Sequence, residues 1–144
     1  MGNDSAPVLL VAEDDHDDRL FLREALEEGP HAARLFFVAD GEELFAYLYR
    51  KGPYADAAAY PEPDLIVLDL NMPKKDGRET LREIKADPKL SAIPVVVVTT
   101  SCESEDKDLA RELMAAEFLA KPMSFEGWIN VAAALAEAAR PKAP

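Results

Sequence analysis

The sequence is poor in the features that would place it outside the cell or in a membrane. It has one cysteine, Cys102, so an internal disulfide is excluded, which fits a reducing compartment. Its uninterrupted apolar runs, such as Val95 to Val98, fall far short of the roughly 20 residues that a membrane-crossing helix needs. The amino-terminal Met1-Gly2-Asn3-Asp4-Ser5-Ala6-Pro7 lacks the basic segment and apolar core of a secretion signal. Ala6 stands where an acylation signal needs Ser or Thr, and the last four residues are no prenylation box. A cytoplasmic protein is therefore expected. There is no run of Lys or Arg, and 28 acidic residues against 16 basic ones give a formal charge of -12. Such a chain repels nucleic acid and anionic membranes and favours divalent cations and basic partners. No glycine-rich loop follows the first apolar run, which argues against nucleotide binding.

What remains is the pattern of one globular domain. At 144 residues the chain matches a single core, on a soft prior of roughly 150 residues per domain. Its 49% apolar and 31% charged residues are ordinary for soluble proteins, so disorder is not expected. Five short runs rich in Val, Leu, Ile and Phe, with little polar alternation, predict strands buried on both faces: Val8 to Ala12, Leu35 to Ala39, Leu65 to Asp69, Val95 to Thr99 and Phe118 to Ala120. Between them lie amphipathic stretches. Leu22, Ala25 and Leu26 mark one helix face, Leu44, Phe45 and Leu48 a second, Leu81 and Ile84 a third, and Leu109, Leu113 and Met114 a fourth. A fifth runs from Phe125 to Ala139 with Trp128, Ile129, Ala132 and Leu135 on its apolar face, and stops before Pro141. Gly52 to Pro63, with three prolines and two tyrosines, reads as a loop extension. Five strand-helix alternations predict an open, doubly wound α/β sheet, parallel throughout and covered by helices on both faces. The domain is expected to span residues 8–139, between a tail at 1–7 and another at 140–144.

Sheets of this kind bind ligands beyond the carboxyl ends of their strands, so the residues just after each run carry the chemistry. Glu13-Asp14-Asp15-His16-Asp17-Asp18 follows the first. Asp17 and Asp18, where a helix begins, are expected to cap it. Glu13 and Asp14 lie nearer the strand, where packed carboxylates repel unless a cation neutralises them. Mg²⁺ suits the cluster, since it takes one or two carboxylates and leaves positions for phosphate oxygens. A calcium hand loop is excluded, because its sixth position would be Arg19 or Leu20 rather than Gly. Asp69 ends the third run, where a lone carboxylate is expensive to bury without a purpose. There it suits a nucleophile that accepts a phosphoryl group, with Mg²⁺ and Lys121, after the fifth run, offsetting charge on the transferring oxygens. His16 and Cys102 read as surface residues.

Taken in order and spacing, Glu13-Asp14, the Leu-Asp-Leu-Asn-Met-Pro run through Asp69, Gly77, Thr99 and Lys121-Pro122 resemble the receiver domain of two-component response regulators. The resemblance covers about Val8 to Ala139. It implies the flavodoxin-like strand order 2-1-3-4-5 and transfer of phosphate to Asp69 from the phosphohistidine of a sensor histidine kinase or a phosphotransfer protein. It further implies that Asp14 and Asp69 ligate Mg²⁺, that Asn71 adds its backbone carbonyl, and that Glu13 acts largely through water. Thr99 would donate to one phosphoryl oxygen and Lys121 would pair with another, and the resemblance also implies a cis Lys121-Pro122 bond, as is usual in the family. Phe118 occupies the place of the family's switching aromatic, coupled to Thr99. Asn71 and Ser101 occupy the two variable positions that tune dephosphorylation.

A narrower likeness lies in the proline-rich loop, the Asn-Met-Pro-Lys-Lys-Asp-Gly-Arg-Glu segment and Ile-Pro-Val-Val-Val-Val-Thr-Thr-Ser. These resemble stand-alone receivers that partner phytochrome-type photoreceptor kinases. Only Ala139 to Pro144 follows the fifth helix, so no output domain is expected, and signalling would pass through contacts with a downstream protein. The apolar Phe125, Trp128 and Ala-rich helix predict a homodimer on that face. The protein would then be a phosphoacceptor with self-catalysed transfer and dephosphorylation rather than an enzyme acting on a separate substrate. Two other classes compete. A haloacid-dehalogenase-like phosphatase also uses a strand-end Asp, but wants a second Asp where Asn71 stands. A phosphorylation-independent interaction module would not need all of Glu13, Asp14, Asp69, Thr99 and Lys121.

Overall fold

The computed structural model describes residues 6–140. The expected tails lie largely outside that span, although the Pro7 carbonyl already accepts a hydrogen bond from Arg34. Five strands, β1 (Val8–Ala12), β2 (Arg34–Val38), β3 (Leu65–Leu68), β4 (Val95–Thr99) and β5 (Glu117–Ala120), alternate with helices α1 (His16–Glu28), α2 (Gly41–Leu48), α3 (Gly77–Ala86), α4 (Ser104–Glu112) and α5 (Phe125–Ala138). All pairings are parallel, in the order β2-β1-β3-β4-β5. The flavodoxin-like expectation is met.

Why the central strands read as unbroken apolar runs is clear from their two faces. Leu9 and Val11 point into one core, completed by Leu22, Ala25 and Leu26 of α1 and by Trp128, Ala132 and Leu135 of α5. Leu10 and Ala12 point into the other, with Leu44, Leu81, Ile84 and Ala110 from α2, α3 and α4. A residue on such a strand is buried whichever way its side chain points, so alternation disappears. Each helix then starts by a local rule. Asp15 caps α1 by accepting from the Asp18 amide, Asp76 caps α3 and Ser124 caps α5. Asp40 caps α2 through the Glu43 amide, while the Glu43 carboxylate reaches back to the amide of Ala39 at 2.7 Å. That reciprocal box takes Ala39 out of the ladder and ends β2 at Val38, one residue before the expected boundary.

Other expectations need correction. α4 stops at Glu112, and Met114 follows in a left-handed conformation with 81% of its surface exposed, so Ala110 rather than Met114 faces the core. On α2 the buried aromatic is Tyr47, and Phe45 is half-buried. Tyr54 and Tyr60, from the proline-rich segment, pack on Tyr47 with ring centroids 5.2 and 5.8 Å away, so that extension is a layer over α2. Trp128 is only 5% exposed, and its ring lies 6.2 Å from that of Phe21 on α1. It helps seal α5 onto α1 and is not part of an open apolar face. No helix among the described residues is long and apolar enough to cross a membrane.

Candidate functional site

The carboxyl ends of β1, β3, β4 and β5 meet at one edge of the sheet, and there the charged residues collect. Glu13 follows β1, its amide held by the Val38 carbonyl at 2.9 Å and its own carbonyl held by Arg19 Nε at 2.6 Å. Asp69 follows β3, with its amide on the Ala12 carbonyl at 3.2 Å. Its neighbour Asp14 is exposed, whereas Glu13 and Asp69 are buried. Carboxylate oxygens of Glu13, Asp14 and Asp69 all lie within 4.8 Å of one another. That spacing fits a hard cation held by carboxylates and open to solvent on the Asp14 side.

Asp69 has two distinct sides. Its Oδ1 accepts from the hydroxyl of fully buried Thr99 at 2.9 Å and from the amide of Asn71 at 3.0 Å. Its Oδ2 lies 2.8 Å from Lys121 Nζ. Lys121 reaches this point because its amide is fixed to the Thr99 carbonyl at 2.9 Å, across the end of the β4-β5 ladder. The same ammonium touches Glu13 and Asp18, each at 2.7 Å. Burial would push the ammonium's pKa down, but hydrogen bonds to Asp18, Asp69 and Glu13 overcome it and hold the pKa above the usual lysine value. For Glu13 the balance is opposite. Burial outweighs its bond to Lys121, and the carboxyl is pushed up to about 7.

Close approach at the start of α3 completes the pocket. The Gly77 amide donates to the Leu70 carbonyl at 3.0 Å, and a Cβ at Gly77 would fall 2.2 Å from the Asp69 carbonyl oxygen and 2.5 Å from Leu70 Cα. Only glycine lets α3 begin this near the backbone of Asp69.

The sequence reading placed Glu13, Asp14, Asp69, Asn71, Thr99 and Lys121 together, and the structure brings them together. Phe118 lies in register with Val97, half-buried against the core shared with α4. Asp18 was assigned to capping, yet Asp15 is the cap and the Asp18 carboxylate binds Lys121 instead. Asp18 lies in the first turn of α1, directly after the strand-end acids, and no sequence pattern distinguishes a partner of Lys121 there from a cap. The Lys121-Pro122 bond is trans, since no cis peptide occurs among the described residues. This corrects the cis expectation, and trans is the lower-energy isomer for X-Pro bonds. Arg78 and Asp106, which pair beside Asn71 and Ser101, were missed altogether.

The sequence profile described as response regulator receiver domain matches residues 9–132. The chain belongs to the response regulator receiver family. The response regulator Rcp1 of Synechocystis sp. is 42% identical over 123 residues, covering 84% of this chain and 82% of that protein. Among solved structures, the phosphorylated cyanobacterial phytochrome response regulator RcpA superposes with a TM-score of 0.82 at 38% identity, covering 92% of this chain and 93% of that one. The Mn²⁺-bound form of Rcp1 gives 0.77 at 38% identity and covers 88% of each chain. This receiver is thus similar to the phytochrome-associated subgroup.

Proposed function

We propose that Asp69 accepts a phosphoryl group from the phosphohistidine of a sensor histidine kinase of the phytochrome type, or of a phosphotransfer protein, in a Mg²⁺-dependent reaction. The observation that carries this reading is the division of labour at Asp69. One carboxylate oxygen is held by Thr99 and the other by Lys121, so the nucleophile is oriented and both groups are placed where charge develops on transferred oxygens. Oδ attacks phosphorus, the bond from phosphorus to the histidine nitrogen breaks, and the imidazole leaves with the electron pair. Asp14 and Asp69 would hold Mg²⁺ directly, with the Asn71 carbonyl, and Glu13 would act through water. The ion, when bound, offsets negative charge on the phosphoryl oxygens. Two relatives support this reading by their descriptions, one as a phosphorylated phytochrome response regulator and one as a Mn²⁺-bound form.

Nothing in this scheme turns over a separate substrate. Transfer and later hydrolysis are carried by the chain's own residues, and the output is a change in contact with a downstream protein in the cytoplasm. Homodimerisation belongs to the same proposal, with exposed Met123 and Phe125 at the start of α5 in place of the buried Trp128. Sedimentation of the wild type and Phe125→Glu, with and without beryllofluoride, tests it, and a monomer in every condition removes it. For the main reading, labelling by acetyl phosphate or phospho-kinase should require Mg²⁺ and stop in Asp69→Asn. Undiminished labelling of that variant overturns the assignment.

A further inference from the structure

A ring of hydrogen bonds leaves Asp69 Oδ1 on one side and returns to it on the other. Outward, the Thr99 hydroxyl donates to Oδ1 and accepts from the Ser101 amide at 3.3 Å. The Ser101 hydroxyl donates to Oδ2 of Asp106 on α4. Asp106 is only 5% exposed and is gripped by both arms of Arg78, Nε at 2.7 Å and a terminal nitrogen at 2.8 Å. Arg78, on α3, closes the ring by donating to the Leu70 carbonyl at 3.3 Å and to Asn71 Oδ1 at 3.4 Å, and the Asn71 amide returns to Asp69 Oδ1.

The fork is well made. Two parallel bonds from one guanidinium fix the carboxylate in plane as well as in distance, which a lysine in its place could not do. The bond from Arg78, aided by that from Ser101, holds the Asp106 carboxyl below the usual carboxylate range, so the pair stays charged throughout the neutral range. The terminal nitrogen of Arg78 in that fork also donates to Asn71 Oδ1, and the Asp106 oxygen it binds also accepts from the Ser101 hydroxyl. Asn71 is exposed and Ser101 half-buried, and each sits one hydrogen bond from Asp69 or its Thr99 partner.

We infer that Arg78 and Asp106 are positioning residues that hold Asn71 and Ser101 across the mouth of the Asp69 pocket and thereby set the lifetime of a phosphoryl group there. This rests on the reading of Asp69 as phosphoacceptor. In the hydrolysis that ends the phosphoryl group's stay, water oxygen bonds to phosphorus. The bond from phosphorus to Asp69 breaks with its electron pair on the carboxylate, and the water proton passes to phosphate or solvent. The water must approach from the side opposite the breaking bond, which is the open mouth. A strap that fixes both neighbouring side chains narrows the positions that water can occupy, and loosening it widens them.

The test follows the decay of phosphoryl label from acetyl phosphate in the wild type, Arg78→Lys, Arg78→Gln, Asp106→Asn and the Arg78→Gln/Asp106→Asn double variant. Arg111→Gln serves as control, because it removes an exposed pair with Asp108 on the same helix. Decay is expected to quicken at least threefold in Arg78→Gln and Asp106→Asn. It should be intermediate in Arg78→Lys, no faster in the double variant than in the worse single one, and unchanged in Arg111→Gln. Arg78→Lys keeps the charge and secures a folded variant, and circular dichroism checks the others. Wild-type decay in the folded Arg78 and Asp106 variants overturns the inference, as does a double variant whose effect is the product of the singles. Failure of the wild type to take label, or persistent label in Asp69→Asn, overturns the underlying assignment together with it, so the two failures are distinguishable.

Discussion

Replacing Lys121 by Met removes the ammonium and keeps an unbranched chain of similar length, so the change is chiefly one of charge. The ammonium lies 2.7 Å from Glu13, 2.7 Å from Asp18 and 2.8 Å from Asp69, and the most exposed of these carboxylate side chains is Asp18 at 21%. Removing one partner from a buried ionic cluster costs about 3–5 kcal/mol. Protonation sets a ceiling on that cost, since a carboxylate can be neutralised for about 1.4 kcal/mol per pH unit above its ordinary value. From its ordinary 4.5, Glu13 meets a ceiling of about 5 kcal/mol at pH 8 and about 1.4 kcal/mol at pH 5.5. At about 7 in the native protein it already carries about 3 kcal/mol of this at pH 8, so most of the new cost falls on Asp69 and Asp18. The expected loss is about 3 kcal/mol at pH 8 and about 1 kcal/mol at pH 5.5.

The direction with pH follows from which state binds protons. Lys121 is raised above its ordinary 10.5, so its contribution is complete throughout pH 5.5 to 8 and is lost only as pH rises through its higher folded value. The pH dependence therefore comes from the carboxylates. The Glu13 carboxyl is raised, so the folded state binds more protons than the unfolded one between pH 4.5 and 7, and stability falls as pH rises through that window. Urea unfolding reads the result. With a slope of about 2 kcal/mol per molar, the midpoint of Lys121→Met should fall by about 1.5 M at pH 8. Adding MgCl₂ at pH 8 should recover at least half of the loss, because a dication offsets the same carboxylates. A midpoint at or above wild type without Mg²⁺, or a loss equal at both pH values, refutes the reasoning.

Gly77→Ala should destabilise the fold by about 2–3 kcal/mol, because the new methyl collides with backbone rather than with a side chain that can turn away. An unchanged urea midpoint would show that α3 can retreat freely. Asp14→Ala should weaken Mg²⁺ binding at least tenfold, read by calorimetry or Trp128 fluorescence, and undiminished affinity removes Asp14 from the ligand set.

How far the sequence could be read depended on how local each cause was. Strand identity came through because Val8 to Ala12 and Val95 to Val98 are buried on both sides and admit nothing polar. Boundaries slipped where a side chain intervened, as when Glu43 took the Ala39 amide and β2 ended at Val38 instead of Ala39. Asp69 and Lys121 were legible because each is a charged residue at the end of a strand whose edge the topology makes a site. Asp106 was not. It lies in a run of acids, Glu103 to Asp108, and only its pairing with Arg78, 28 residues earlier, sets it apart from them. Trp128 misled for a related reason. Amphipathic spacing shows that a side of a helix is apolar but not what covers it, and here α1 covers it.

The same geometry limits how strongly phosphate would drive a Thr99-Phe118 switch, were Phe118 to act as the family's switching aromatic. Thr99 is fully buried, and its hydroxyl already donates to Asp69 at 2.9 Å before any phosphoryl group arrives. Phosphorylation then exchanges one anionic acceptor for another, so the gain comes only from the difference between two charge-assisted bonds, about 1 kcal/mol. A ligand shifts an equilibrium by no more than its differential stabilisation, which here is about fivefold in population. Phe118 has no hydroxyl to fix either rotamer, and its ring is half-buried against the α2-α3-α4 core. Resonances of a ¹⁹F-labelled Phe118 should therefore show two environments exchanging weight by a few-fold on adding beryllofluoride, with Thr99→Ala abolishing the change. A single unshifted environment removes the switch. Complete conversion would mean that phosphate acts through groups besides Thr99, and the ring through Ser101, Asp106 and Arg78 is the route the structure offers.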